Sequence, residues 1–265
     1  MRLAIVGASG KMGRSVVRAA VSESIGIVCA IGVSDVGRDV GELSGVGHLG
    51  IPISDTVDIL GTAGANVVID FSSPVATTAL APVAAAARAA IVTGTTGLGD
   101  DARKALDRAS LLVPTLVEPN LSIGVHVLAS LLARAVAALP DWDVEIVEMH
   151  HRSKVDAPSG TALRLGRIAE AARALPTRLV HGRDANHGVR KPEEVGVHAL
   201  RAGDIVGEHV VHLVGTGERI ELVHRATSRD VFAHGAIRAA RWIAGKPPGS
   251  YGLQDVLGWK GDRPS

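Results

Sequence analysis

Along the first half of the chain, short wholly apolar runs alternate with longer stretches in which apolar residues recur at helical spacing. From Arg2 to Val6 β-forming residues lead into Gly7, and after Gly13 the segment SVVRAAVSE carries its apolar positions on one helical face. The alternation continues through IGIVCAI (25–31), ANVVIDF (65–71), the alanine-rich stretch 77–90, AIVTG (90–94), a charged helix around 101–109, and LLVPTLVEP (111–119). Apolar strands separated by helices predict a parallel, doubly wound sheet, because only strands covered on both faces lose their polar alternate positions.

After Asn120 the pattern changes. An apolar helical stretch (123–139) leads to VEIVEMHH, whose alternate positions Val144 and Ile146 predict a strand, and another helix begins near Gly160. Three more strand-like runs, 195–201, 209–215 and 219–226, are joined by the turn signals AGDIVG and GTGE, and connections this short predict antiparallel pairing. The change near residue 122 predicts a domain boundary, and a last helix over 235–245, which does not suit the second sheet, is expected to return to the first domain. The predicted fold class is α/β: a doubly wound parallel sheet plus a smaller α+β domain with a mixed or antiparallel sheet.

Composition narrows this further. With 265 residues the chain holds one large domain or two smaller ones, and with two Phe, one Tyr and three Trp its core must be built from small aliphatic side chains. A net charge of +1, with acids and bases intermixed, gives no sequence-wide reason to expect a nucleic-acid or membrane partner. The one cysteine, Cys29, sits in an apolar run; it excludes an intramolecular disulfide, reads as a small buried hydrophobe and fits a reducing compartment. The apolar start LAIVG is too short for a leader and no apolar run is long enough to span a bilayer, so a soluble, cytoplasmic protein is expected.

Gly7, Gly10 and Gly13 form G-x-x-G-x-x-G between a strand and a helix. Missing Cβ atoms let such a loop approach a pyrophosphate, and the amides opening the helix present donors to it; a plain strand-to-helix turn is the bland alternative. Lys11 and Arg14 lie within reach of phosphates, or are simply solvated. The acidic residue that usually binds ribose hydroxyls about 20 residues on is replaced by Gly32, with Asp35 and Arg38 nearby, so NADH and NADPH both stay open. The loop Gly94 to Gly97, with Thr95 and Thr96 as donors, is expected at the carboxyl edge of the same sheet.

Residues 144–162, VEIVEMHHRSKVDAPSGTA, read as a strand, a polar loop and a helix start. His150 and His151 leave the strand together, so their side chains diverge; Lys154 follows closely, and Ser159 is placed to cap a helix whose first amides, at Gly160 and Thr161, suit a carboxylate. Histidines, a lysine and an anion-binding helix terminus make a site for an acidic substrate that must also receive a proton; ordinary surface polarity is the alternative. Zinc is disfavoured because HH-x-x-K lacks metal-ligand spacing, and no G-x-S-x-G elbow supports a serine triad.

The fifteen residues EMHHRSKVDAPSGTA closely resemble the signature of the 4-hydroxy-tetrahydrodipicolinate (dihydrodipicolinate) reductases, and GASGKMGR, DFSSP, TGTTG, EPNLSIGV and HALRAGDIVGEH extend the resemblance, in order, over nearly the whole chain. The resemblance implies a Rossmann-like domain over 1–122 carrying NADH or NADPH, completed by 237–265, and a domain over 123–236 for substrate binding and assembly into a homotetramer. It implies that Gly7, Ala8, Ser9, Gly10, Lys11, Met12, Gly94, Thr95, Thr96, Glu118, Pro119, Asn120 and Leu121 line the cofactor site. His150 would be the acid/base residue and Lys154 the proton donor, while His151, Gly160 and Thr161 hold a cyclic dicarboxylate on the route to diaminopimelate and lysine. No metal is implied.

Two departures stand out. Gly32 and Val33 replace an acidic and a basic residue of the family pattern, and Glu118 replaces a small residue before Pro119, where it either faces the pocket or turns outward without consequence. A related imine or oxo-acid reductase with an altered substrate, and a non-catalytic NAD(P)-responsive binding protein, are the competing readings.

Overall fold

The computed structural model describes residues 1–259; residues 260–265, the end of the segment expected to complete the first domain, lie outside the described residues. Two compact units are present, one formed by Met1–Ile123 together with the chain from Arg229 onward, the other by Gly124–Ser228.

The first unit opens with β1 (Arg2–Val6), α1 (Lys11–Ser22), β2 (Gly26–Ile31), α2 (Val40–Ser44), β3 (Ile53–Ser54) and α3 (Ile59–Ala63). It continues with β4 (Val67–Asp70), α4 (Pro74–Ala86), β5 (Ala90–Thr93), α5 (Asp100–Ser110) and β6 (Pro114–Val117). The second unit contains α6 (Ile123–Ala138), β7 (Asp143–His150), α7 (Gly160–Ala172), β8 (Arg178–His181), β9 (Glu194–Arg201), β10 (Gly207–Val214) and β11 (Arg219–Ala226), after which α8 (Asp230–Ile243), β12 (Gly249–Tyr251) and α9 (Leu253–Val256) return to the first.

Seven strands in the order β12-β6-β5-β4-β1-β2-β3 form the first sheet, every pairing parallel, in a Rossmann-like arrangement. The chain works outward from β1 to β3 and then resumes on the other side of β1 with β4, so the strand order reverses at their carboxyl ends, where open α/β sheets bind ligands. The apolar runs follow from burial on both faces: Leu3 and Ile5 pack with Val16, Val17, Ile237 and Ile243, while Ala4 and Val6 pack with Leu80, Ala84 and Leu106. Two helices begin earlier than the periodicity suggests. Gly10 caps α1, so Gly13 lies inside its first turn, and α4 starts at Pro74 because Ser73 accepts from the Ala76 amide and proline suits a first helical position.

The second sheet has the order β11-β10-β7-β9-β8 and is mixed. β10 runs antiparallel to β7 and β11, whereas β9 runs parallel to both β7 and β8. The expected direct pairing of 195–201 with 209–215 is therefore corrected: β7 lies between them. The turn AGDIVG reverses the chain, and a reversal is served equally well by stepping over one strand; only GTGE joins neighbours. One face of this sheet, through Val144, Ile146, Val195, Val197, Val211 and Leu213, packs on Leu128, Leu132 and Val136 of α6 and Leu165, Ile168 and Ala169 of α7.

Candidate active site

In the first unit, the loops following β1, β4, β5 and β6 all leave the carboxyl edge of the parallel sheet. Gly7 has φ +79, and a Cβ there would stand 2.2 Å from the Phe71 carbonyl oxygen, so the first loop closes against the β4 loop only because the side chain is missing. Gly10, Lys11 and Met12 follow at the start of α1, which no side chain caps, while Ala8 and Ser9 are buried beneath. The loop thus leads into a helix start that no side chain caps, the kind of terminus that suits an anion.

The loops after β4 and β5 are tied together by one carboxylate. Asp70, fully buried at the end of β4, accepts from the Ser72 amide (3.1 Å) and hydroxyl (2.5 Å) and from the hydroxyls of Thr77 (2.6 Å), Thr93 (2.9 Å) and Thr95 (3.1 Å). Gly94 lies under the Phe71 ring, Thr95 is buried in this polar cluster, and Thr96 is exposed beyond it. After β6, the Glu118 amide donates to Thr93 O (3.0 Å), Pro119 is exposed, Asn120 accepts from the Ser122 amide (2.9 Å) and Leu121 belongs to the core. Glu118 is 5% exposed, which removes the alternative that it turns outward. Beyond β2, Val33 is 94% exposed and Asp35 accepts from Arg38 (2.7 Å) with Arg14 at 3.8 Å, so a carboxylate and two guanidinium groups cluster after the second strand.

The second unit gathers its polar residues around the end of β7. Glu148, 0% exposed, accepts from His150 Nδ1 (2.5 Å), from both terminal nitrogens of Arg201 (2.8 and 2.9 Å) and from the Ser159 amide (2.9 Å). Burial alone would raise the Glu148 pKa, but the bonds from Arg201, His150 and Ser159 outweigh it and hold the carboxyl below its ordinary range. For His150 burial lowers the pKa, Glu148 pushes it back up, Lys154 and Arg201 push it down, and the net shift is downward. His209, on β10 opposite Glu148, stands edge-on to the His150 ring at 5.4 Å between centroids; burial is the main cause that pushes it down to about 4.

His151 diverges as expected, its Nδ1 2.9 Å from Ser153 Oγ, and Lys154 Nζ donates to both oxygens of Asp156 (2.7 and 2.9 Å). Ser159 caps α7 through the Ala162 amide (3.2 Å), and a Cβ on Gly160 would meet nothing within 4 Å, so there is open space beside Gly160 at the helix start.

The protein-family comparison matches residues 1–121 to the model described as dihydrodipicolinate reductase, N-terminus, and residues 124–257 to that described as dihydrodipicolinate reductase, C-terminus. The chain belongs to the dihydrodipicolinate reductase family. Among its relatives, the 4-hydroxy-tetrahydrodipicolinate reductase of Alkalilimnicola ehrlichii is 48% identical over 97% of this chain and 98% of its own. That of Archaeoglobus fulgidus is 46% identical over 97% of this chain and all of its own. Among solved structures, the dipicolinate-bound dihydrodipicolinate reductase from Paenisporosarcina sp. TG-14 superposes with a TM-score of 0.78 at 24% identity, over 97% of this chain and 99% of that one, a likeness of fold.

Within this family member, sequence reasoning missed Asp70, Glu148, Arg201 and His209. Glu148 carried a usable signal, since it stands two residues before His150 and therefore on the same pleat face. Arg201 and His209 lie within the segment HALRAGDIVGEH, but only strand register sets them beside His150 and Glu148.

Proposed function

We propose that the chain reduces 4-hydroxy-tetrahydrodipicolinate to tetrahydrodipicolinate with NADH or NADPH, on the route to diaminopimelate and lysine. The observation that carries this reading is the grouping of His150, Lys154 and the open start of α7 within one unit of a family member. When bound, the dinucleotide supplies a hydride from its nicotinamide ring. The Gly7 to Met12 loop holds its pyrophosphate, Gly94 to Thr96 and Glu118 to Leu121 line its nicotinamide end, and the shared cluster of Asp35, Arg14 and Arg38 accommodates either a ribose hydroxyl or a 2′-phosphate.

The amides of Gly160 and Thr161 hold one substrate carboxylate, His151 assists, the 4-hydroxyl leaves as water, and Lys154 exchanges Asp156 for the substrate and donates the proton that balances the hydride. His150 acts as the acid/base residue through Nε2, its Nδ1 being engaged by Glu148. A related imine or oxo-acid reductase is the second reading, favoured by Glu118, a buried acidic residue where the family pattern has a small one.

We also place the enzyme in the cytoplasm as a homotetramer. Among the described residues no helix is long and apolar enough to cross a membrane. The sheet face turned away from α6 and α7 carries Val147, Met149 and Val210, with Leu200 (41%) and Val223 (42%) more exposed, which supports association; sedimentation of the purified protein checks it.

The test of function is cofactor oxidation on addition of the product of a dihydrodipicolinate synthase. Substrate-dependent oxidation is expected, and alanine at His150 or Lys154 should lower turnover about 10²- to 10⁴-fold with unchanged cofactor affinity. A folded, cofactor-binding sample that leaves this substrate untouched overturns the reading, and a panel of imines and oxo acids then decides for the second.

A further inference from the structure

The Ser159 amide and two Arg201 nitrogens donate to the Glu148 carboxylate, which holds it ionised, so that His150 Nδ1 beside it donates as well. His150 Nδ1, the Ser159 amide and two nitrogens of Arg201 surround it, and the residue has no exposure. Such a place accepts only an ionised carboxylate, since the amide of a glutamine would turn its NH2 toward one donor or another. Arg201, reaching across from β9, would neutralise the buried charge by itself. The bond to His150 therefore adds something that neutralisation does not require.

With Nδ1–H held by a carboxylate, the imidazole has one tautomer, and Nε2 is the nitrogen left to exchange a proton. That atom lies over Gly207, where a Cβ would come within 2.9 Å. The other oxygen of Glu148 holds the Ser159 amide, and Ser159 caps α7 immediately before Gly160 and Thr161. We propose that Glu148 is the positioning residue of this site: one buried carboxylate sets the tautomer of His150 and pins the head of α7, so the proton-exchanging nitrogen and the carboxylate-receiving amides keep a fixed spacing. The assignment rests on the reading of His150 as the acid/base residue.

The charges facing His150 are Glu148 on its own strand, Arg201 from β9, and Lys154 with Asp156 from the loop; His209 from β10 is neutral at pH 7. Removing Glu148's charge removes the influence that favours imidazolium, so the pKa of His150 must fall. The alkaline limb of the kcat profile then moves to lower pH.

Histidine side-chain 15N spectra of the full-length protein, with H150Q to assign the His150 signals, read the tautomer directly, and kcat profiles of wild type and Glu148→Gln read the consequence. The expected results are an Nδ1–H tautomer for neutral His150 in the wild type and mixed tautomers with a lowered pKa in E148Q. E148Q should also show a kcat reduced at least about tenfold with its alkaline limb shifted acidward, and an unchanged Kd for NADH. Turnover by a wild type whose neutral His150 carries its proton on Nε2 overturns the proposal even if E148Q fails to fold, as does a folded E148Q with unmoved tautomer and limb. Failure of the reductase reading looks different: no turnover in the wild type, with the Nδ1–H tautomer intact.

Discussion

Among the buried carboxylates of the two units, Asp70 in the first and Glu148 in the second lie beside loops that carry candidate site residues, and the two are satisfied by opposite chemistries. Asp70 is met by hydroxyls and one backbone amide, groups that carry no charge, and the hydroxyls can rotate. Glu148 is met by a guanidinium, an imidazole and an amide, so its contacts fix a charge balance as well as a shape. The difference matches the work proposed for each unit. A loop that cradles a cofactor needs a stable outline, whereas a loop that exchanges protons needs one nitrogen held in a defined protonation state.

The comparison breaks most visibly at Glu148. Alanine there leaves the partly exposed Arg201 guanidinium and the Ser159 amide without their acceptor, and a loss of about 1–3 kcal/mol in urea unfolding is expected. Replacing Arg201 by methionine in the same chain should recover much of that stability and none of the turnover, because an apolar pair fills the space but cannot hold Nδ1–H.

At Asp70 the cost is smaller. Asparagine should cost about 1–2 kcal/mol, since the surrounding hydroxyls can turn to accept as well as donate. NADH titration should show weaker binding while the pH limb assigned to His150 stays in place; a moved limb would mean that the two carboxylates do not divide the work in this way.

Gly207 sharpens the contrast without touching either carboxylate. A methyl group there presses on Nε2 of His150, and Gly207→Ala should lower kcat about tenfold, roughly 1.4 kcal/mol in the barrier, with little change in unfolding midpoint.

A third carboxylate gives the smallest effect. Asp39 accepts from the amides of Gly41, Glu42, Leu49 and Ile51; burial would raise its pKa, but the amides and the His48 charge bring it down from 3.8 to about 2. A depressed pKa stabilises the fold above the ordinary value and loses that contribution as pH falls through the folded one. Melting curves of wild type and Asp39→Asn should therefore differ at neutral pH and converge as the pH approaches about 2.

Much of this architecture is legible in the residue pattern. The both-face burial of β1, β4 and β5 writes itself as apolar runs, the Gly7 loop announces a close backbone approach, and Ser159 before Gly160 marks a helix start. The second sheet is legible as strands but not as an order, because the turn after Arg201 specifies a reversal and not a neighbour. The polar partners are legible least: Asp70 gathers groups from four positions along the chain and Glu148 from three.

By itself the sequence determined the types of the longer elements but not of β3, β8 or β12, the two glycine-dependent approaches at Gly7 and Gly207 only as glycines, and the set of residues able to do acid/base chemistry near the end of β7. Periodicity and backbone freedom are local, so they can be read one segment at a time. Tertiary structure alone decided that β7 separates β9 from β10, and with that which arginine and which histidine stand beside Glu148. A buried charge is stabilised by whatever the fold brings within about 3 Å of it, and strand register, which no single segment encodes, sets that company.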